Sequence, residues 1–355
     1  MLFRSTITTT GSTTTTAYAA STGSLSLVPI SNSTNVAGTA IPLPYLPNSM
    51  VTDHAGANLY LGSSSGFMTV NTATAAVTAT TSVPGTILAI SPDDAYMLIN
   101  NPTAGYVYLY SVAGKAVTLS EAVNPTAAVF TPDSKSVSFL IGQQIYYMTT
   151  YPAATITSLP YTPSAVDVSA QGGLTYITSA VSHAIDVRTT CNQSSQQTLS
   201  ATNPTLVAHI PNGTGAVVVD SPNLDVVTSG SIGTGCPPTP QNTVNAYNLG
   251  YGNFNPRQII FSLDGTHAWI LSDLTSVIGF SMTTLTPSTI ALTGGPTPFN
   301  GGITMDGSHI YVGASDNNVH ALNTSSLSDQ AVINVNLLDA NSNVVPPNLV
   351  IVLPH

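Results

Sequence analysis

The sequence predicts an all-β fold, a β-propeller of four-stranded antiparallel blades, on three observations. A short motif recurs roughly every forty residues along the 355-residue chain. Each recurrence is followed by the same succession of short apolar segments and turns. The composition is that of short strands rather than helices: Thr, Ser, Ala, Val, Asn, Gly and Pro dominate, with charged residues at 6% against roughly 25% in ordinary soluble chains.

The motif is clearest in SPDDAYMLIN (91–100), TPDSKSVSFL (131–140), SLDGTHAWIL (262–271) and TMDGSHIYVG (304–313). Weaker copies are SAQGGLTYIT (169–178), HIPNGTGAVVV (209–219) and TDHAGANLYLG (52–62). Asp93, Asp133, Gln171, Asn212, Asp264 and Asp306 occupy one repeat position. In each copy an apolar run enters an Asp-Gly-like turn, which supplies the conformation of a tight hairpin. A second strand leaves it, as in His309-Ile310-Tyr311-Val312, and a third follows, as in Asn318-Val319-His320-Ala321-Leu322. A fourth carries alternating apolar residues, as in Val332-Ile333-Asn334-Val335, before Pro or Asn-Pro restarts the cycle. Four short strands per forty-odd residues is the period of a propeller blade.

Counting from second to fourth strand gives eight units, near 17–43, 57–81, 95–121, 135–158, 174–200, 216–249, 267–293 and 309–336. Eight blades are expected, with seven as the alternative. The stretch of about 220–256 reads as an inserted loop. Residues 1–16 read as a Thr-rich extension and 17–355 as one propeller domain. PPNLVIVLP (346–354) matches a blade's first strand, so nine candidates compete for eight first-strand slots. If 347–354 closes the ring, the Thr-rich N-terminal segment is displaced.

SLDG, with His267 and Trp269 close behind, looks at first like a catalytic cluster. The repeat argues otherwise. Trp269 stands where another copy has Tyr311, a packing position, and His267 shares its register with His309.

The motifs resemble the YVTN-type β-propeller repeat of bacterial secreted and archaeal surface-layer proteins. SPDD, TPDS and SLDG are similar to that repeat's Pro-Asp-Gly turn, and AYAASTGSLSLVPISNSTNVAGTAIPLP (17–44) to its strand-loop-strand run. Copies at 169–178 and 209–219 depart from it by lacking the aspartate. The resemblance implies the fold and leaves function open, because propellers host lectins, lactonases, dehydrogenases and scaffolds.

Charge excludes several functions. Five cations against fifteen acids give a net charge of −10, which provides no basic footprint for nucleic acid or an anionic membrane. No apolar run is long enough to span a bilayer. Met1-Leu2-Phe3-Arg4 lacks a signal peptide's apolar stretch, so a leader has been removed or the numbering starts inside a precursor. Glu121 is the single glutamate, and the seven histidines show no metal-ligand spacing. Ser182, His183 and Asp186 are adjacent in sequence, which is not a triad geometry. Neither a cofactor nor a catalytic or metal site is expected.

Loops between second and third strands, and between blades, form the face where propellers usually meet ligands. Tyr45, Tyr161, Tyr251, Phe254 and Phe299, with Asp220, Asp273 and Asp316, are assigned there as a candidate carbohydrate-binding face. Cys191 and Cys236 follow the third strands of neighbouring blades and are expected to pair, which implies an oxidising setting. Asn32, Asn192, Asn212 and Asn323 lie in glycosylation sequons. The expected function is a non-enzymatic extracellular or cell-surface structural or adhesive protein. Its expected partner is itself, in a filament or array formed by terminal strand exchange. A carbohydrate-binding propeller and a lactonase-type enzyme are the alternatives.

Overall fold

The computed structural model describes residues 16–149, 154–229 and 241–354. Eight antiparallel sheets form eight blades, and all of the named regular elements are strands. Within blades 2 to 8 the chain runs from the innermost strand outward, each strand pairing with the next. The eight innermost strands contact one another in a closed circle.

Blade 1 closes the ring. Its innermost strand is Leu349–Val352, paired antiparallel with Thr16–Ala20 in the register Ala17 to Val352 and Ala20 to Leu349. Thr16–Ala20 is therefore a second strand, followed outward by Ser26–Ser31 and two short pieces, Val36–Ala37 and Ile41–Pro42. The competition among nine first-strand candidates is resolved in favour of the C-terminal one. The Thr-rich extension assigned to 1–16 lies, except for Thr16, outside the described residues.

The repeated turn has one construction. Asp264 Oδ1 accepts the Ser262 hydroxyl at 2.6 Å and the Thr266 amide at 3.0 Å. Asp306 takes the Thr304 hydroxyl at 2.6 Å and the Ser308 amide at 3.0 Å. Asp93 and Asp133 repeat the pattern with Ser91 and Ala95, and with Thr131 and Lys135. The next residue needs a left-handed backbone, which Gly265 and Gly307 adopt at φ 70°. The Asp-Gly pairs are turn chemistry, as expected.

Packing occurs between blades. Trp269, Leu271, Val277 and Ile290 of blade 7 share a core with Ile310, Val312 and Leu322 of blade 8. Tyr311, Val319 and Ile333 of blade 8 meet Ala17, Ala19, Val350 and Val352 of blade 1. Second strands are covered on both faces, so Leu174–Ser179 and Gly215–Asp220 are buried at every residue. Outer strands are largely exposed.

Two boundary expectations need correction. The stretch taken as one inserted loop, about 220–256, contains the strands Asn223–Ser229 and Asn242–Asn248. The polar, Asn-rich sequence of Asn242–Asn248 hid a fourth strand whose outer face is solvated. Any insertion is confined between Ser229 and Asn242, where 230–240 lie outside the described residues. Phe299, assigned to a loop, lies in the innermost strand Pro298–Ile303 of blade 8.

Candidate functional site

Because strands alternate in direction, the Asp-Gly turns open on one face of the ring. The second-to-third and blade-to-blade connections open on the other. That second face holds most of the candidate ligand residues, but does not present them as a platform. Tyr161 and Phe254 are buried in inter-blade cores. Tyr45 and Tyr251 are half-buried against such cores, and the Tyr251 hydroxyl bonds Thr289 at 2.7 Å. The Phe299 ring lies 5.1 Å from the Arg257 guanidinium.

The acids of this face fasten loops. Asp220 accepts the backbone amides of Thr202 and Asn203. Asp273 accepts the Asn255 amide at 2.9 Å and its side-chain nitrogen at 2.6 Å. Each ties the end of a second strand to the connection entering its own blade. These bonds hold the Asp273 carboxyl below the usual carboxylate range.

Less expected is one register position in the third strands. The third residue of Ala184–Thr189 is Asp186, of Asn223–Ser229 is Asp225, and of Asn318–Asn323 is His320. All three are buried, whereas Ser276–Ser281 carries Ile278 and Gln144–Thr149 carries Tyr146 there. A buried charge persists only when paired, and each blade solves this differently.

In blade 8, His320 Nδ1 meets Asp329 Oδ2 at 2.7 Å and Nε2 meets Asp316 Oδ2 at 3.2 Å. Burial works against a charged imidazole. The Asp329 hydrogen bond and the two carboxylate charges overcome it, and the His320 pKa rises. In blade 6, Asp225 is buried beside Asp220. Burial first, then the Asp220 charge and hydrogen bond, push the Asp225 carboxyl up to about 7. In blade 5, Asp186 Oδ2 accepts Arg188 Nη1 at 2.5 Å and the Tyr161 hydroxyl at 2.5 Å, and Oδ1 accepts the Ser195 hydroxyl at 2.6 Å. Burial and the Asp186 hydrogen bond raise the Tyr161 pKa.

On the turn face, a hollow of about 410 Å³ is lined by His54, Pro92, Phe130, Pro132, His209 and Leu263, among others. Each imidazole is clamped through Nδ1 by an aspartate of an adjacent blade. His54 meets Asp94 at 2.7 Å and His209 meets Asp167 at 2.9 Å. The Asp167 hydrogen bond outweighs burial and raises the His209 pKa. No group of three or more His, Cys, Asp or Glu side chains among the described residues is arranged to hold a metal ion.

Of the sequon asparagines, Asn192 and Asn212 are exposed, and Asn212 Nδ2 donates to the Leu263 carbonyl at 3.2 Å. Asn323 is half-buried, with its Oδ1 accepting the amides of Ser325 and Ser326. The side-chain amide of Asn32 is covered. Cys191 follows its third strand as expected, whereas Cys236 and any pairing with it lie outside the described residues. Ser182, His183 and Asp186 do not converge. His183 Nδ1 contacts the Thr202 carbonyl, and Asp186 is enclosed by Arg188, Tyr161 and Ser195.

Sequence reasoning missed the third-strand position and the paired histidines. The repeat register held the signal for both: His54 aligns with Pro92 and Pro132 in the turn, and His209 with Phe130 at the end of a first strand.

No family model matches the sequence, and no curated protein matches it. Solved structures share the fold at low identity. The chain is similar to a dihydro-heme d1 dehydrogenase, NirN, in complex with DHE, at 12% identity and TM-score 0.70, covering 89% of this chain and 72% of that one. It is similar to the Cps50 (Swd1) β-propeller domain of Myceliophteria thermophila at 11% identity and TM-score 0.60, covering 79% and 94%. Hydrazine synthase of Kuenenia stuttgartiensis matches at 15% identity and TM-score 0.56, covering 79% and 96%. Proteins this different in name share an architecture, and the likeness extends to the fold alone. No helix of the described residues is long and apolar enough to cross a membrane.

Proposed function

We infer that the protein is a non-enzymatic structural or adhesive propeller of an extracellular or cell-surface setting, which associates with copies of itself by strand addition. One observation carries this reading: Leu349–Val352 occupies the innermost slot of blade 1, so every first-strand slot of the ring is filled without residues 1–15. That segment contains TITTTGSTTT, which is β-prone and uncharged.

The acceptor is an outer blade edge. Edge strands are normally guarded by charges, Lys above all, because their unpaired backbone groups recruit other strands. The outer strands AVTAT, AVTLSE, ATITS, SQQTLS, NTVNAYN, TPSTIA and SDQAVIN contain no Lys or Arg. Glu121 and Asp329 are their only charges, and Asp329 faces His320. Strand addition to such an edge gains main-chain hydrogen bonds without a specific side-chain code. A head-to-tail contact of this kind propagates into a filament or array.

The Cys191–Cys236 bond belongs to the same reading, supported by the absence of a free thiol among the described cysteines. The buried rings of Tyr161 and Phe254 give the carbohydrate platform expected on the loop face no support. The test is competition: a synthetic peptide of residues 1–15, added in excess to the full chain, should cap edges and shorten assemblies seen by light scattering. A scrambled peptide should not. Equal effects of the two peptides would refute the reading.

A further inference from the structure

Blade 5 holds a cation in an unusual place. The Arg188 side chain is 7% exposed and its partner Asp186 is 2% exposed. Replacing a buried ion pair by apolar groups is often neutral or stabilising, and the equivalent third-strand positions of blade 7 are the apolar Ile278 and Phe280. Stability alone does not account for the pair.

The hydrogen bonds are unevenly shared. Asp186 accepts from three donors, Arg188, Tyr161 and Ser195. Arg188 donates Nε–H to the Gln193 carbonyl at 2.8 Å and one Nη1–H to Asp186. A guanidinium has five N–H donors, so three are left without a partner among the described residues. The Nη2 group, which carries two of them, is not enclosed in protein. The cluster borders an open cleft of about 420 Å³, lined also by Pro160, Ser182, Ala184 and Thr198. That volume falls within the range of small-molecule sites.

The cleft thus offers guanidinium donors, hydroxyls of both hydrogen-bonding characters and a small apolar wall, at zero net charge. A free anion would leave one uncompensated negative charge in a buried site, in a chain of net charge −10. A neutral carbonyl can take the spare N–H groups without that cost. Neighbouring sugar hydroxyls would meet Ser182, Ser195 and Thr198, and a methyl group would rest on Pro160 and Ala184. We propose that the cleft beside Asp186 and Arg188 binds a neutral sugar bearing an acetamido group. This site shares the outer strand Ser195–Ser200 with one of the edges offered for strand addition, but its test reads sugar binding and not assembly, so either reading can fail alone.

The test is ligand-observed saturation-transfer NMR on the full chain with N-acetylglucosamine, glucose and acetate as probes. Saturation should reach the acetamido methyl of N-acetylglucosamine, and glucose and acetate should respond weakly. Arg188→Lys, which replaces the planar fork with a point charge, should weaken binding about tenfold or more. Thr198→Trp, at an exposed rim position opposite Asp186 on the neighbouring strand, should fill the cleft and abolish binding while leaving the circular dichroism unchanged. The Trp variant keeps the test decisive if the Lys variant fails to fold. Absence of transfer to N-acetylglucosamine, acetate binding in its place, or undiminished binding by Thr198→Trp would overturn the proposal.

Discussion

Ala19 stands opposite Val350, so the first and last described strands form one ladder and the ring is held shut by antiparallel pairing between the two ends of the chain. Both residues are buried in the core shared with blade 8. Everything proposed for residues 1–15 follows from this pairing.

Val350→Asp should therefore open the ring. It places an unpaired charge in the blade 1 core and should cost about 4 kcal/mol or more. Thermal unfolding should show a large fall in Tm. Little change would mean that the closure carries little of the stability.

Stability should decline as pH rises from mildly acidic to alkaline. The folded Asp225 carboxyl is raised to about 7 from 3.8, so its contribution is complete below about 4 and lost as pH climbs toward 7, on the order of 4 kcal/mol. His209 and His320 are also raised above 6.5, and their contribution likewise disappears as pH passes their folded values. Lowered carboxyls such as Asp306 and Asp329 act oppositely, but only as pH falls below 3.8. Urea unfolding at pH 5 and pH 8 should find the protein more stable at pH 5, and Asp225→Asn should shrink the difference.

Asp306→Ala should remove the acceptor for Thr304 and Ser308 and destabilise by about 1–2 kcal/mol. Chemical unfolding should register that loss in a variant whose near-ultraviolet spectrum is unaltered. A larger change confined to ligand binding would contradict the turn role given to this aspartate.

Gly279→Ala should disturb the inter-blade core around Trp269. A Cβ there would lie 2.5 Å from Trp269 Cζ3 and 2.4 Å from Ser288 Oγ, and overpacking of this kind costs roughly 1–3 kcal/mol. Shifted Trp269 fluorescence with a lowered Tm is the expected result, since Trp269 is the only tryptophan.

The fold was legible because it is repeated. A Ser/Thr-x-Asp turn such as Thr304-Met305-Asp306 is a local structure with local hydrogen bonds, and several copies confirm one another. The C-terminal strand was legible for the same reason: Pro346 to Pro354 reads as a first strand wherever it occurs in the chain. The Asp186 cluster was not legible. Tyr161, Asp186, Arg188 and Ser195 come from a blade connection and two strands, and no short motif contains them. Aromatic residues misled for a related reason. Sequence placed Tyr161 and Phe254 on exposed loops, yet connections between blades run back across the apolar inter-blade cores, where large rings are buried. The Asn242–Asn248 strand was obscured because the outer strand of a blade needs no apolar alternation on its solvated face.

The most direct measurement is sedimentation velocity, with negative-stain electron microscopy, of the full chain beside a variant beginning at Thr16. The expected result is a concentration-dependent series of assemblies for the full chain and a single folded monomer for the variant, with unchanged Tm because the ring retains all eight inner strands. Assembly that persists undiminished without residues 1–15, or a full chain that remains monomeric at every concentration, would contradict self-association through that segment.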